Sequence, residues 1–459
     1  MENRQPIVVV LGHVDHGKTT LLDVIRKTSV ATKEAGGITQ SIGATVTSGI
    51  TFIDTPGHAA FTKMRGRGAK VADIAVLVVA QDDGVQPQTK EALQIIRDVK
   101  IPFIVVGTKA DVAGTNPEVL KGQLEKEEVF FEGRGGDVPF VSVSAKTNIG
   151  IKELLETLKV MADVSEIKGD ASAELEAVVI ESNKEKMGTT ATIVIRNGSI
   201  KVGETIFAEE VKCKVRGLFD DRGKAIHEVL PGFPAKIIGF SEIPPIGASV
   251  MEVPHAKIVE AVAPRNKFEL RRLQDDEIPV IIKADNAGAL EAIIASLPPK
   301  IIVVDSGVGE ITSSDVINAK TGNAYIFAFE SKIPNDIVKL AEAEKIKIAR
   351  FDIIYELLLA VDELLKKGKV EELGRAEVVA SFPFNDKKVA GCKVASGRIS
   401  KGDKLILMRA EKEIGKARAV SVRKQKAEVP SVGQSEEFGI IIGPQLDFTI
   451  GDVIVSVTK

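Results

Sequence analysis

Gly12-His-Val-Asp-His-Gly-Lys18-Thr19 carries the spacing G-x-x-x-x-G-K-[ST], and its flanks decide how it is read. The apolar run Ile7-Val-Val-Val-Leu11 leads in, and Thr20-Leu-Leu-Asp-Val-Ile25 leads out with helical character. A strand, a glycine-containing loop and a helix in that order turn backbone N–H groups and the helix's positive end toward phosphates. Outward from this stretch, Met1 to about Ile167 alternates strand-like runs with helical ones. Ile7–Leu11, Ile50–Asp54, Ile74–Ala80, Phe103–Gly107 and Phe140–Ser144 read as strands, and Gln88–Val99 and Ile151–Met161 as helices. This alternation predicts an α/β domain over 1–167, a mostly parallel sheet with helices on both faces. Ligands of such sheets bind at the C-terminal ends of the strands.

Asp54-Thr-Pro-Gly-His58, Thr108-Lys-Ala-Asp111 and Ser144-Ala-Lys146 each follow one of these strands. Four elements in this order predict a P-loop site for GTP or GDP. Asp15, His16, Gly17, Lys18, Thr19 and Thr20 form its phosphate side, with Lys18 bridging the β- and γ-phosphates and the Thr19 hydroxyl on Mg²⁺. Asp54 is expected to hold the metal through a water. Gly57 lets its backbone N–H approach the γ-phosphate. On the base side, Asp111 accepts two hydrogen bonds from the guanine edge and Lys109 lays its stem over the ring. Thr108, Ser144, Ala145 and Lys146 complete that side.

With Gly-His-Val-Asp-His-Gly-Lys-Thr and Asp-Thr-Pro-Gly-His, the chain resembles the translational GTPases. Gly36-Gly-Ile-Thr-Gln40 with Ile42-Gly-Ala44, Met64-Arg-Gly-Arg-Gly-Ala69 and Asp82-Asp-Gly-Val-Gln-Pro-Gln-Thr89 narrow the likeness to the bacterial initiation factor 2 family. So do Ser306-Gly-Val-Gly309 and Ile311-Thr-x-Ser-Asp315, so the resemblance runs over essentially the whole chain. It implies that Thr39 completes Mg²⁺ coordination with Thr19 and Asp54 when the γ-phosphate is present. It implies that His58 orients the attacking water, behind an apolar gate of Val14 and Ile38. Asp15 is similar to the aspartate associated with a monovalent cation in this group. Where the family usually has Asn, this chain has Thr108, whose hydroxyl can still tie the phosphate loop to the base loop. The family's long N-terminal extension is expected to be missing, because residue 1 lies about a strand's length before the phosphate loop.

The 459 residues suggest about three domains. Hydrophobic residues at 44% and charged ones at 27% describe a soluble globular protein. Two cysteines, Cys213 and Cys392, make no disulfide framework and suit a reducing cytosol, so a cytoplasmic location is expected. No signal peptide or bilayer-length apolar run is present, and no membrane role is expected. The net charge of −3 conceals an asymmetry. Arg375–Lys459 holds 15 Lys and Arg against 10 Asp and Glu, a net +5 that leaves −8 for the rest. A basic tail on an acidic body points to a polyanion partner at the C-terminal end.

Beyond 167 the pattern changes twice. Short strands and turns over 170–263 predict an antiparallel β-barrel, and 374–459 repeats it. Ile195-Arg-Asn-Gly198-Ser-Ile200-Lys-Val-Gly203-Glu204 matches Val394-Ala-Ser-Gly397-Arg-Ile399-Ser-Lys-Gly402-Asp403, with glycines at equivalent turns. Between the barrels, 264–352 returns to alternating α and β, an expected α/β/α domain in which Ser306-Gly-Val-Gly309 is a plain turn. Ile354, Leu357, Leu358, Val361, Leu364 and Leu365 then follow helical spacing, a connecting helix and linker over 353–373.

The resemblance implies an initiation factor that binds formylmethionyl initiator tRNA on the ribosome, promotes subunit joining and hydrolyses GTP when stimulated by the ribosome. Both ribosomal subunits and other initiation factors are its implied partners, and the chain itself is expected to be a monomer. The α/β segment at 264–352 argues against an elongation-type tRNA carrier. An intact His58 argues against a scaffold that uses nucleotide only as a switch. In the last barrel the resemblance carries over Cys392, Arg423, Lys424, Lys426, Glu437 and Gly439 as the site for the aminoacylated 3′ end. A small cysteine beside a glycine can line an apolar slot for methionine, or it can be an inert core thiol; the cations can meet the terminal phosphates. Two departures mark this site. Gln425 stands where the family usually has an aromatic residue, and Phe438 where it usually has a second cysteine.

Overall fold

The computed structural model describes residues 2–28, 38–252, 277–368, 372–384, 387–409, 412–425 and 427–457. Lys426, Gly36 and Gly37, the junction near 263 and the linker at 369–371 lie outside the described residues. Two compact units are present, Met1–Val361 and Asp362–Lys459.

In the first unit, six strands make one sheet in the order Gly43–Thr47, Ile50–Asp54, Ile7–Gly12, Ile74–Ala80, Phe103–Thr108, Phe140–Ser142. Only Gly43–Thr47 runs antiparallel to its neighbour, and the remaining pairs are parallel. Ile7–Gly12 and Ile74–Ala80 are buried along their whole length, as strands covered on both faces must be. The flanking helices are α1 (Lys18–Arg26), α2 (Thr62–Val71), α3 (Pro87–Val99), α4 (Pro117–Glu125) and α5 (Ile151–Val164). Ile7–Gly12 has neighbours that come later in the chain on both sides, so the crevice at its C-terminal end opens where the winding reverses.

Six strands then close into a barrel. Its ring runs Thr205–Ala208, Ser249–Met251, Glu176–Glu185, Gly188–Asn197, Pro234–Phe240, Val211–Phe219 and back to Thr205–Ala208. Alternate residues such as Val179, Ile193, Ile206, Val215 and Ile237 fill it. A four-stranded parallel sheet follows, ordered Ile301–Val308, Ile278–Ala284, Tyr325–Phe329, Ile348–Phe351. It carries α6 (Ala287–Ser296), α7 (Ser313–Gly322) and α8 (Asn335–Ala343). Ser306 to Val308 complete a strand there, and the turn comes at Gly309, whose φ of +106° an L side chain rarely adopts. Helix α9 (Ile354–Gly368) comes next in the chain.

The second unit holds the other barrel. Its ring runs Lys404–Arg409, Val453–Val457, Glu372–Phe384, Lys387–Ser400, Glu437–Gly443, Lys412–Lys424 and back to Lys404–Arg409. Taken in chain order, the strands of the two barrels are joined identically. The paired glycines keep the same backbone twist, with φ of 72° and 67° at Gly198 and Gly397, and 98° and 91° at Gly203 and Gly402. The internal repeat is therefore a repeat of fold.

Candidate functional site: a phosphate pocket with a base-binding rim

The site sits at the C-terminal end of Ile7–Gly12. Gly12 leaves the strand at a φ of +150°, and a Cβ there would lie 2.3 Å from the Val78 carbonyl oxygen. Gly17, in the left-handed region at φ +80°, is the N-cap of α1, so the loop ends where the first helical N–H groups point into the pocket. Asp15, Gly17, Lys18, Thr19 and Thr20 line this pocket, together with Val14, Ile38, Thr39, Gly57, His58 and Tyr355.

Lys18 is buried, and its Nζ donates to the His13 carbonyl at 2.6 Å. Burial pulls its pKa down to about 8, opposed by the nearby Asp54 carboxylate. A bound triphosphate would add to the opposite charge that Asp54 and Asp15 bring to this ammonium. A Cβ on Gly57 would come 2.5 Å from the movable Lys18 Nζ and 3.0 and 3.1 Å from the backbone N and Cα of Val14, and that backbone is the fixed wall glycine clears. The Thr19 and Thr39 hydroxyls meet at 2.5 Å. Asp54 is buried, and its Oδ1 has no hydrogen-bond partner among the described residues. Leaving such an oxygen unsatisfied costs about 1–3 kcal/mol or more. Burial also pushes the Asp54 carboxyl pKa up, against the pull of Arg26 and Lys18. Two hydroxyls beside an orphaned carboxylate oxygen are hard oxygen donors that fit Mg²⁺.

The base side is held by two hydroxyls. Thr108 Oγ1 donates to the His16 carbonyl at 2.7 Å, tying the base loop to the phosphate loop. Ser144 Oγ donates to Asp111 Oδ1 at 2.7 Å, and this bond holds the Asp111 carboxyl below the usual carboxylate range. Lys109, in the left-handed region at φ 58°, pairs with Asp82 at 3.2 Å. Ala145 is half-buried and Lys146 exposed beside them. The His16 ring turns away to Asp83, with Nε2 and Oδ2 3.0 Å apart, so its side chain braces the loop.

His58 caps a short 3₁₀ turn (Ala59–Phe61), its Nδ1 accepting the Ala60 N–H at 2.9 Å. A neutral ring with Nδ1 accepting carries its proton on Nε2. Burial, then the Arg65 charge, lowers its pKa and favours that neutral form. Arg65 is itself fully buried and donates to the Pro56 and His58 carbonyls at 2.9 and 2.6 Å and to Glu91 at 2.5 Å. It fixes the backbone on both sides of Gly57. Tyr355 reaches this site from far along the chain, and Gln40, next to Thr39, bonds outward to Glu330, Asp352 and Ile354. Sequence reading assigned none of the three a role, although Arg65 and Gln40 lie within motifs quoted for the family likeness.

With this geometry in hand, three family models match the chain. Residues 3–163 match the Elongation factor Tu GTP binding domain, 174–253 match Elongation factor G domain 2, and 260–362 match Translation-initiation factor 2. Translation initiation factor IF-2 of Caldanaerobacter subterraneus is 39% identical over 100% of this chain and 70% of its own length. The Thermoanaerobacter sp. protein of the same name is 39% identical over 99% of this chain and 71% of its own. The chain belongs to the translation initiation factor IF-2 family. It is a GTPase of that family, and its N-terminal sheet is the nucleotide domain.

In the second unit, the residues expected to hold the tRNA end come from three adjacent strands. Cys392 pairs with Phe438, Lys393 with Glu437, and Gly439 with both Gly391 and Arg423. One expectation needs correction: Cys392 lines no open slot. It is 1% exposed, lies with Ala390 and Val394 on the inward row of its strand, and packs in the barrel core with Phe438. Burial pushes its thiol pKa up to about 12, so it stays a neutral thiol. Arg423 and Glu437 are exposed on the outward row. Lys424 is paired with Glu436 at 2.6 Å.

Proposed function

We propose that this chain acts in translation initiation, binding formylmethionyl initiator tRNA on the small ribosomal subunit in its GTP state. It then promotes joining of the large subunit and hydrolyses GTP when the ribosome stimulates it. The observation that carries this reading is family identity along the whole chain joined to a nucleotide pocket whose buried groups await charge. Lys18, Gly57 and the first turn of α1 bind the phosphates, and Asp111 and Lys109 select guanine, with Ser144 and Thr108 holding their loops. Thr19, Thr39 and Asp54 would hold Mg²⁺, which when bound neutralises charge developing on the β- and γ-phosphate oxygens. Asp15 would face a monovalent cation. His58 orients the attacking water, donating from Nε2, behind Val14 and Ile38.

In the last barrel, Arg423, Lys424 and Lys426 meet the terminal phosphates of the tRNA. Glu437 and Gly439 contact the aminoacyl end, and Cys392 supports that surface from within the core. Ribosomal subunits and other initiation factors are the partners this reading needs, in the cytoplasm and with the chain as a monomer.

The test is retention of labelled initiator tRNA on small subunits by the full chain. With GTP, the formylmethionyl form should be retained well above the unformylated and deacylated forms. Equal retention of all three would refute the tRNA assignment.

A further inference from the structure

Behind the phosphate loop, three side chains with metal-ligand chemistry converge that the nucleotide pocket does not use. One ring nitrogen each of His13 and His16 and a carboxylate oxygen of Asp83 lie within 4.8 Å of one another. His16 Nε2 and Asp83 Oδ2 are 3.0 Å apart, and the two imidazoles stand edge to face with centroids at 4.9 Å. His16 is fully buried, His13 half-buried and Asp83 exposed. In both rings Nδ1 is buried with no hydrogen-bond partner among the described residues. Leaving a buried polar atom unsatisfied is costly, so the cluster holds ligand capacity that the protein itself leaves unused.

Spacing and donor set point to one kind of ion. A tetrahedral zinc ion keeps its ligands about 2.0–2.2 Å away, and hence about 3.3 Å from one another. His16 and Asp83 are already near that separation, and an ion would replace the proton they share. His13 would close by no more than about 1.5 Å to take the third position, and water from the exposed Asp83 side would supply the fourth. Two imidazoles and one carboxylate favour a zinc-class ion over Mg²⁺, which takes oxygen ligands. That distinguishes this cluster from Thr19, Thr39 and Asp54, whose donors are all oxygen.

The segment that carries Asp83 already meets both nucleotide loops. Gln88 Oε1 accepts the Val14 N–H at 3.1 Å, and Asp82 pairs with Lys109 at 3.2 Å. His13 and His16 serve the pocket through their carbonyls, which accept from Lys18 Nζ and Thr108 Oγ1, so an ion on their rings leaves those bonds intact. Lys18 lies near enough to His16 to repel a cation. Nucleotide phosphates offset that charge, so nucleotide favours the ion, and by reciprocity the ion favours nucleotide.

We propose that His13, His16 and Asp83 form a site for a zinc-class divalent ion, which pins the phosphate loop to segment 82–88 and slows nucleotide release. The experiment uses the full chain loaded with GDP and excess Mg²⁺, with Co²⁺ as the spectroscopic probe. Wild type should take up one Co²⁺ per chain, with visible bands of mixed nitrogen and oxygen coordination that Zn²⁺ abolishes by competition. Asp83→Asn and His13→Ala should each weaken uptake roughly tenfold or more. Asp83 is exposed, and asparagine can keep the bonds to His16 and Gln86, so that variant retains the loop while losing the carboxylate. Release of labelled GDP should slow about fivefold or more when Co²⁺ binds wild type, and should not respond to the ion in Asp83→Asn. No uptake by wild type, or equal uptake by both variants, would show that the cluster is only a hydrogen-bonded brace. Uptake that leaves the rate of GDP release unchanged would overturn the pinning.

Discussion

The nucleotide pocket and the C-terminal barrel are built on opposite plans. In the pocket, charged groups are buried before any ligand arrives. Lys18 is 6% exposed, Asp54 is 3% exposed, and one Asp54 oxygen lacks a partner among the described residues. Among the described residues, the barrel keeps its candidate charged groups outside, where Arg423 and Glu437 are exposed and Lys424 pairs with Glu436, while Cys392 lies in the core. Groups buried in advance bind with large, salt-resistant energies because the ligand completes them. Exposed groups must exchange water or a partner, so each contributes little and is screened. Specificity in the pocket is stored by desolvation and loop geometry; on the proposed tRNA reading, the barrel relies on the sum of many weak contacts.

The comparison is sharpened most by Lys18→Ala. Losing a buried cation that faces phosphate should weaken GTP binding by about a hundredfold or more, read by titration calorimetry. A loss under fivefold would place the pocket with the exposed kind of site. Asp111→Asn replaces two acceptors with an acceptor and a donor, and should shift preference from GTP toward XTP by roughly tenfold or more, measured by nucleotide competition. Unchanged selectivity would remove Asp111 from the base site.

Protonation offers a third test. Lys18 titrates near pH 8 in the free protein, depressed by burial, whereas a bound triphosphate favours the ammonium form. Binding above that pH must therefore take up a proton. GTP affinity should be flat below about pH 8 and weaken by up to about tenfold per pH unit above it. A flat profile through pH 9.5 would show that Lys18 stays charged without ligand. The smallest effects belong to the barrel. Arg423→Ala and Lys424→Ala should each weaken initiator tRNA binding several-fold and leave GTP affinity unaltered. The salt slope should fall by roughly 0.7 for each phosphate that is no longer neutralised. A hundredfold loss at either position would mean that the barrel too holds a pre-buried site.

What could be read without coordinates follows the same division. The phosphate and base loops are local: Gly12 to Thr19, Asp54 to His58 and Thr108 to Asp111 each lie in one short segment at a strand end. The tie from Thr108 to His16 needed only a hydroxyl in the place where the family has an amide. Gln40 and Tyr355 escaped assignment because their work is tertiary. The Gln40 bonds span 290 to 314 residues, and no periodicity reports a contact of that range. For Cys392 the sequence allows a slot or a core thiol; its alternation with Ala390 and Val394 marks an inward row, and the sheet pleat decides for the core. The strand Gly43–Thr47 went unread because its residues, neither strongly apolar nor fully alternating, are half-buried throughout.

The most direct test of the account is a pair of numbers for His58→Ala: GTP affinity and single-turnover hydrolysis on 70S ribosomes. If His58 acts only on the water in the transition state, affinity stays within about twofold of wild type and hydrolysis falls by roughly three orders of magnitude or more. Equal losses in both would show that His58 shapes the pocket and takes no part in the chemistry.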